Sequence, residues 1–417
     1  MTSRKKILIL LTERFPFGVG ETFLESEANY WSDFDRVILF PTSHGGTNTP
    51  RPFDGYSSSN VEIFTAPAAC LSKPQKALAL IKLLFWKEFW YELFQIGQKS
   101  KSKFLSIRKM ISVGVNGELS ASAFYRYYYD MLQGDNIILY AYWLYNPAVV
   151  ASKLNEKIHA DIAISRAHGF DLYESRSNGY LPFRRYLLST LDKVYPVSND
   201  GCSYLKRKYP AFERKIIEKK LGTVDYGIEY YERKSGKFRI VTCSNCVSIK
   251  RIDLIVEALS LFEDDMIDLE WTHYGDGPEL AMLKDVAEKK LKGIVDYRFA
   301  GNLHKMELID SYKTNQYDLF INVSSTEGIP VSIMEAMSFG IPVIATDVGG
   351  TSELVADKNF LLPADITATE LKNKISEIIN LDESIYLEIR EKARSNWKKV
   401  WNANDNFAEF YRSIKES

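Results

Sequence analysis

Short runs of apolar, often β-branched residues recur through the first half of the chain, at Ile7–Leu11, Val37–Phe40, Val61–Phe64, Ile137–Tyr140, Ile162–Ile164 and Val194–Val197, with helical patterns between them. Unbroken apolar runs are what a strand buried on both faces requires, and their alternation with helices predicts a parallel sheet covered by helices. A charged stretch, Glu229–Lys237, has little periodicity and is expected to join two domains, with the boundary near residue 225. The alternation then resumes, with strands expected at Phe238–Cys243, Leu269–Tyr274, Tyr297–Ala300, Leu319–Val323 and Val343–Ala345. The chain therefore reads as an α/β protein of two doubly wound units: residues 1–225, residues 226–385, and a helical segment 386–417. In the last of these, Trp397, Trp401, Phe407, Phe410 and Tyr411 need a surface to cover. Ligands of such sheets sit beyond the carboxyl ends of the strands, and two units facing each other would create a cleft.

Composition narrows the function classes. At 417 residues with 46% hydrophobic and 26% charged residues, two ordinary cores are within reach and a disordered chain is excluded. A formal net charge of −1 argues against nucleic acid as the main partner, because phosphate-backbone binding leaves a basic excess. Four cysteines suit a reducing compartment, and the Cys243-x-x-Cys246 pair lacks the two further ligands zinc needs, so no metal is expected. The basic start and apolar run ending at Thr12-Glu13-Arg14 read as a first strand rather than a leader. No stretch reaches the roughly 20 apolar residues of a membrane span; the closest, Ala77–Ile96, is broken by Lys82, Lys87, Glu88 and Glu92.

The informative segment runs from Tyr317 to Val355. A strand is expected to end near Ser324 and a helix to begin near Pro330, where proline suits the first turn, and to stop at Gly340 as a C′ glycine. Glu327 then lies in the loop above the strand and Glu335 about a turn inside the helix. The free amides of Val331 and Ser332 at the helix start favour an anion such as a diphosphate. Two carboxylates there would repel phosphate, so they are expected to accept from the hydroxyls of an adjoining sugar and ribose. Either glutamate alone reads better as a plain carboxylate, Glu327 in a loop and Glu335 on a solvated helix face; the pair on a Gly-Ile-Pro turn is what singles them out.

This block, Glu327-x₇-Glu335 with Gly328, Ala336, Gly340, Pro342, Val343, Gly349 and Gly350, resembles the signature of glycosyltransferase family 4, the retaining enzymes of the GT-B fold. The resemblance implies that Glu335 binds the donor ribose, that Glu327 acts at the transferred sugar, and that Gly328, Ile329, Val331 and Ser332 line the donor site. The run Cys243–Leu259 looks like the family's first strand, loop and helix of the donor domain, in which Lys250 would meet the diphosphate. Where the family has an arginine, this chain has Asn245, and the candidate stand-ins are Arg251 or a group of the N-terminal domain. His273-Tyr-Gly-Asp-Gly-Pro, with Gly275 and Gly277, resembles the loop beside the nucleobase, and reads equally as a plain strand-to-helix turn.

In the first domain, Gly18 and Gly20 would let backbone amides approach a phosphate, but Phe23 stands where a dinucleotide fingerprint needs its third glycine, which counts against a nicotinamide enzyme. By resemblance this loop closes over the donor phosphate, and His168, just after a strand, contacts the donor sugar or the acceptor. Leu139–Trp143 and Ser165–Tyr173 look like the bacterial branch that builds surface polysaccharides. The resemblance thus implies transfer of a hexose-type sugar from a UDP- or GDP-sugar to a hydroxyl of a glycan or lipid-linked glycan. It also implies retention of configuration, no metal and no cofactor, a cytoplasmic enzyme at the inner face of the membrane, and C-terminal helices packing back on the first domain. The rival readings are an epimerase or hydrolase of the same fold, or a non-catalytic binder of sugar nucleotides. Residues 73–109 interleave lysines with Phe85, Trp86, Phe89, Trp90 and Phe94 on what reads as one amphipathic helix. It is suited either to a membrane interface or to a core-facing stripe with a solvated basic face.

Overall fold

The computed structural model describes residues 4–18, 20–21, 23–43, 49–51, 60–66, 72–100, 102–227, 236–263, 267–355 and 357–416. Two compact units emerge, one of Met1–Lys220 with Phe407–Ser417 and one of Leu221–Asn406. Most of the expected joining segment, residues 228–235, lies outside the described residues.

The first unit carries a six-stranded parallel sheet. Its strands are β1 (Lys6–Thr12), β2 (Arg36–Pro41), β3 (Val61–Ile63), β4 (Asn136–Ala141), β5 (Ile162–Ala167) and β6 (Lys193–Pro196). They lie in the order β3-β2-β1-β4-β5-β6. Every residue of β1 after Lys6 is buried, because the sheet is covered on both faces. Between β3 and β4 the chain inserts three helices, Lys73–Leu84, Lys87–Lys99 and Lys103–Tyr128. The single amphipathic helix expected over 73–109 is thus two helices and the start of a third. The break after Leu84 is fixed by the Trp90 indole, which donates to the Leu84 carbonyl at 2.8 Å, with Trp86 in extended backbone. The next falls at a serine turn, where the Ser102 amide donates to Ser100 Oγ at 3.2 Å.

The second unit repeats the plan with β7 (Lys237–Cys243), β8 (Asp268–Tyr274), β9 (Asp296–Gly301), β10 (Leu319–Asn322), β11 (Val343–Thr346) and β12 (Leu361–Leu362), ordered β12-β11-β10-β7-β8-β9 and parallel throughout. Both sheets have the order 3-2-1-4-5-6 of a doubly wound fold, in which the strand order reverses beside the first strand of each unit. In the second unit that switch point lies between β7 and β10.

The expected segment 386–417 is divided between the units. Helix Glu383–Val400 belongs to the second: its Trp397 indole donates to Thr223 Oγ1 at 2.7 Å. Helix Ala403–Lys415 carries Phe407, Phe410 and Tyr411 into the first. There Tyr411 donates to Glu27 at 2.9 Å and Phe410 lies 4.3 Å under the guanidinium of Arg166. Arg166 and Glu27 form a fully buried ion pair at 3.2 Å. A pair so far from water is tolerable only when its remaining atoms are bonded. Tyr140 and the Lys220 carbonyl supply part of that bonding.

Candidate functional site

In the second unit, two loops leave adjacent strands at the switch point. The loop after β7 contains Ser244–Lys250 and the loop after β10 contains Val323–Pro330. They are stitched together by the Ser325 amide, which donates to the Ile249 carbonyl at 2.8 Å. Their charged members meet: the Lys250 ammonium is hydrogen-bonded to the Glu327 carboxylate, to which Asn322 Nδ2 also donates at 3.3 Å. The Glu327 side chain is 6% exposed and that of Lys250 18%, so this is a shielded pair at a mouth rather than a solvated one.

Helix Val331–Ser338 follows, with Pro330 as its N-cap rather than inside its first turn. A proline cannot cap with its side chain, and the amides of Gly328, Ile329, Val331 and Ser332 have no acceptor among the described residues. The helix ends as expected at Gly340. The Gly340 amide returns to the Met337 carbonyl at 2.9 Å and that of Ile341 to Ala336 at 3.1 Å. Two arginines that the sequence reading did not single out hold this end: Arg390 donates to the carbonyls of Tyr317 and Phe339, and Arg394 to that of Ser338. Their only signal was position, four apart on a helix with basic residues facing the core. Arg394 is itself anchored by a two-oxygen contact with Asp225 at 2.6 and 2.7 Å.

Glu335 projects from one turn inside the helix. No hydrogen bond to its carboxylate is found among the described residues, and burial pushes its pKa up to about 7, against a smaller opposing pull from Lys305. A carboxyl that is half-buried, unbonded and poised near neutrality is a group waiting for a donor.

Glycines set the spacing of this site. At Gly275, φ is +140° and an added Cβ would lie 1.9 Å from the Ser244 carbonyl oxygen. At Gly277 an added Cβ would lie 2.5 Å from the carbonyl oxygen of Cys246, whose amide bonds to the Asp276 carbonyl. These residues, expected beside a nucleobase, thus bring the loop after β8 against the loop after β7. Gly349, at φ +56°, approaches Glu327 in the same way, its notional Cβ 2.1 Å from that carbonyl oxygen. Asn245 is exposed on the loop after β7. Arg251, the expected stand-in cation, is turned inward: its Nε donates to the Val323 carbonyl at 2.6 Å, and its Nη2 is buried without a hydrogen bond among the described residues. Its backbone is left-handed, with φ +48°, and the Nε bond ties it to the loop after β10.

Among the described residues no group of His, Cys, Asp and Glu is arranged to hold a metal. Cys246 is buried with its Sγ 3.4 Å from His273 Nε2, and Cys243, half-buried, has its thiol pushed up to about 12 by burial and by Glu335.

In the first unit, the loop after β1 holds Gly18 at φ +70° and Gly20, both with open space where a Cβ would go. The loop is organised by Glu21, which sequence reasoning passed over. Its carboxylate accepts from the amides of Glu13, Arg14 and Phe15 and from the Trp143 indole at 2.6 to 2.9 Å. Burial and that neighbouring charge lift the Glu13 carboxyl to about 7. His168 follows β5, packed against Tyr142 and Trp143 with ring centroids 4.6 and 4.4 Å away. Neither ring nitrogen has a hydrogen bond among the described residues, and Nδ1 stands 3.7 Å from Asp171. Asp171 instead accepts from the amides of Leu144, His168 and Gly169. Burial alone would raise its pKa, yet His168 and these amides hold it below the usual carboxylate range.

Residues 229–400, which contain the Lys250–Glu327 pair, the helix at Pro330 and Glu335, match the sequence profile of the family Glycosyl transferases group 1. This chain carries a glycosyl transferases group 1 domain. Relatives of the group 1 domain have names in the same field. The chain is 26% identical over 273 residues to the putative colanic acid biosynthesis glycosyltransferase WcaL of Escherichia coli, covering 62% of this chain and 66% of that protein. It is 27% identical over 157 residues to the UDP-N-acetylglucosamine–peptide N-acetylglucosaminyltransferase GtfA subunit of Streptococcus parasanguinis, covering 37% of this chain and 30% of that one. The chain thus spans under two thirds of the length of these curated relatives. In structure it is similar to Anabaena HepE, solved in complex with UDP and glucose, with a TM-score of 0.64, 15% identity, and 99% and 100% of the two chains covered. That likeness establishes the fold class around the group 1 domain: α/β, two-domain, GT-B.

Proposed function

We propose that the chain is a retaining glycosyltransferase that moves a hexose-type sugar from a UDP- or GDP-sugar to a hydroxyl of a glycan or lipid-linked glycan in polysaccharide assembly, without a metal. The observation that carries this reading is the meeting of Lys250 and Glu327 at the switch point of the second sheet, beside a helix whose first amides have no acceptor among the described residues. A diphosphate laid against those amides gains the helix dipole and the Lys250 charge. Glu327, freed from the lysine, then faces the transferred sugar, and Glu335 accepts from the ribose hydroxyls. Catalysis on this reading is stabilisation of the departing diphosphate rather than supply of a strong base. In the first unit, the open space at Gly18 and Gly20 supports close approach of a phosphate, and the His168 ring nitrogens, which have no hydrogen bond among the described residues, support its assignment to donor sugar or acceptor.

The names of the relatives support the field of polysaccharide and glycan assembly, and the UDP and glucose bound to HepE support a UDP-linked donor. The test is a thermal-shift screen of sugar nucleotides followed by turnover with the stabilising donor and candidate acceptors. Glu327→Ala is expected to lower turnover by orders of magnitude while leaving nucleotide binding in place; turnover equal to wild type removes Glu327 from the mechanism. Rapid consumption of the donor without any acceptor favours a hydrolase or epimerase instead.

A further inference from the structure

The three inserted helices of the first unit leave a second set of aromatics outside the protein. Ala79, Leu83, Phe89, Ile96 and Met110 turn inward and are buried, which satisfies the need for a core-facing stripe. Phe85, Phe104, Phe94 and Trp90 are nevertheless 88, 76, 62 and 55% exposed, and Leu78, Ile81 and Leu84 accompany them. Leu78 and Ile81, with Phe85 at the helix C-cap, are spaced three and four apart, and Trp90 and Phe94 are four apart, so each set forms one stripe. The Trp90–Leu84 hydrogen bond holds the two stripes together at the turn.

Charge is segregated to the same place. Residues 73–109 contain nine lysines and arginines against two glutamates, a net of +7, in a chain whose total is −1. Lys73, Lys76, Lys87 and Lys103 are exposed with no ion-pair partner among the described residues. No helix among the described residues is long and apolar enough to cross a membrane.

We propose that this face docks on an anionic lipid surface, with the tips of Phe85, Trp90, Phe94 and Phe104 among the headgroups and the free lysines around them on lipid phosphates. Aromatic tips ringed by lysines match the chemistry of that interface. Pairing of two copies through this face would bring Lys73, Lys76, Lys87 and Lys103 of each against the like charges of the other, which disfavours a second molecule as the occupant. This inference is independent of the transferase reading and is tested without any sugar nucleotide.

The experiment is flotation of the full chain with vesicles of phosphatidylcholine containing phosphatidylglycerol, beside vesicles of phosphatidylcholine alone, at low and high salt. Wild type is expected to float with the anionic vesicles and to dissociate as salt rises. Reversing Lys73, Lys76 and Lys87 together to glutamate is expected to weaken binding roughly 100-fold or more, at about fivefold for each basic residue removed from the surface. Phe85→Ser with Phe104→Ser is expected to weaken it independently of salt, and circular-dichroism melts confirm that these surface variants remain folded. Wild type left at the bottom of the gradient with anionic vesicles overturns the proposal, as does equal flotation of wild type and the lysine variant. A dimer in sedimentation velocity that Phe85→Ser dissociates, with no vesicle binding, assigns the face to a second copy and also overturns it.

Discussion

Replacing Lys250 by alanine separates two jobs that the site gives to one side chain. In the structure its ammonium is held by Glu327, with Asn322 as the carboxylate's second donor. On our reading a diphosphate must draw the ammonium away from that carboxylate. One charge-assisted contact contributes about 1.5–3 kcal/mol, or roughly 10- to 150-fold in Kd. Because the lysine gives up a shielded partner to make it, the net loss on Lys250→Ala falls at the lower end, about tenfold to thirtyfold for UDP or GDP. Glu327→Gln supplies the complementary measurement. UDP has no sugar for Glu327 to hold, so neutralising the carboxylate removes a competitor for the lysine, and UDP is expected to bind as tightly as to wild type or more tightly. Isothermal calorimetry on wild type, both single variants and the double variant gives the coupling directly. The reasoning fails if Lys250→Ala binds UDP and GDP as wild type does. It fails equally if Glu327→Gln weakens UDP tenfold, which would mean that the carboxylate orients the lysine rather than competes for it.

Two other perturbations read the same site. The Glu335 carboxyl is lifted to about 7 by burial, so the folded protein holds its proton more tightly than the unfolded chain does between pH 4.5 and 7. That contribution is present below the unfolded value and lost as pH rises through 7, amounting to about 1–3 kcal/mol after allowance for its partial exposure. Glu335→Gln is therefore expected to raise stability at pH 8 but not at pH 4, by urea melts, and to flatten the rise in nucleotide affinity through neutral pH that an ionised ribose acceptor requires; equal stability changes at both pH values refute the assignment. Gly275→Ala forces a methyl group onto the Ser244 carbonyl and is expected to cost about 3 kcal/mol or more and to impair nucleotide binding, whereas a wild-type melt would show that the two loops have room to part.

The central strands were legible because they are buried on both faces, which turns a strand into an unbroken apolar run such as Ile7–Leu11 or Leu319–Val323. β12 was not, since the two residues Leu361 and Leu362 are too few to make a pattern. The single helix expected over 73–109 failed because its breaks are made by a tryptophan side chain and a serine turn rather than by glycine or proline. At the site, Lys250 and Glu327 were each recognisable, yet their pairing was not: 77 residues separate them and only the strand order brings them together. Arg251 illustrates the limit from the other side. Its charge suggested a ligand for phosphate, and the bond from its Nε to the Val323 carbonyl, 72 residues away in sequence, left no trace in the motif. Glu21 was missed because a carboxylate that binds three backbone amides is defined by the fold of its own loop and leaves no motif.

The return of Phe407, Phe410 and Tyr411 to the first unit has a bearing on biosynthesis. The shell around Arg166 and Glu27 is sealed by residues that leave the ribosome some 200 positions after the last strand of that sheet. During translation the N-terminal portion must therefore wait, with a charged pair half-wetted, while the whole intervening unit is made. Cutting the chain before residue 407 is expected to harm the opposite end of the polypeptide first, so a 1–220 fragment is a poor choice for expression by itself.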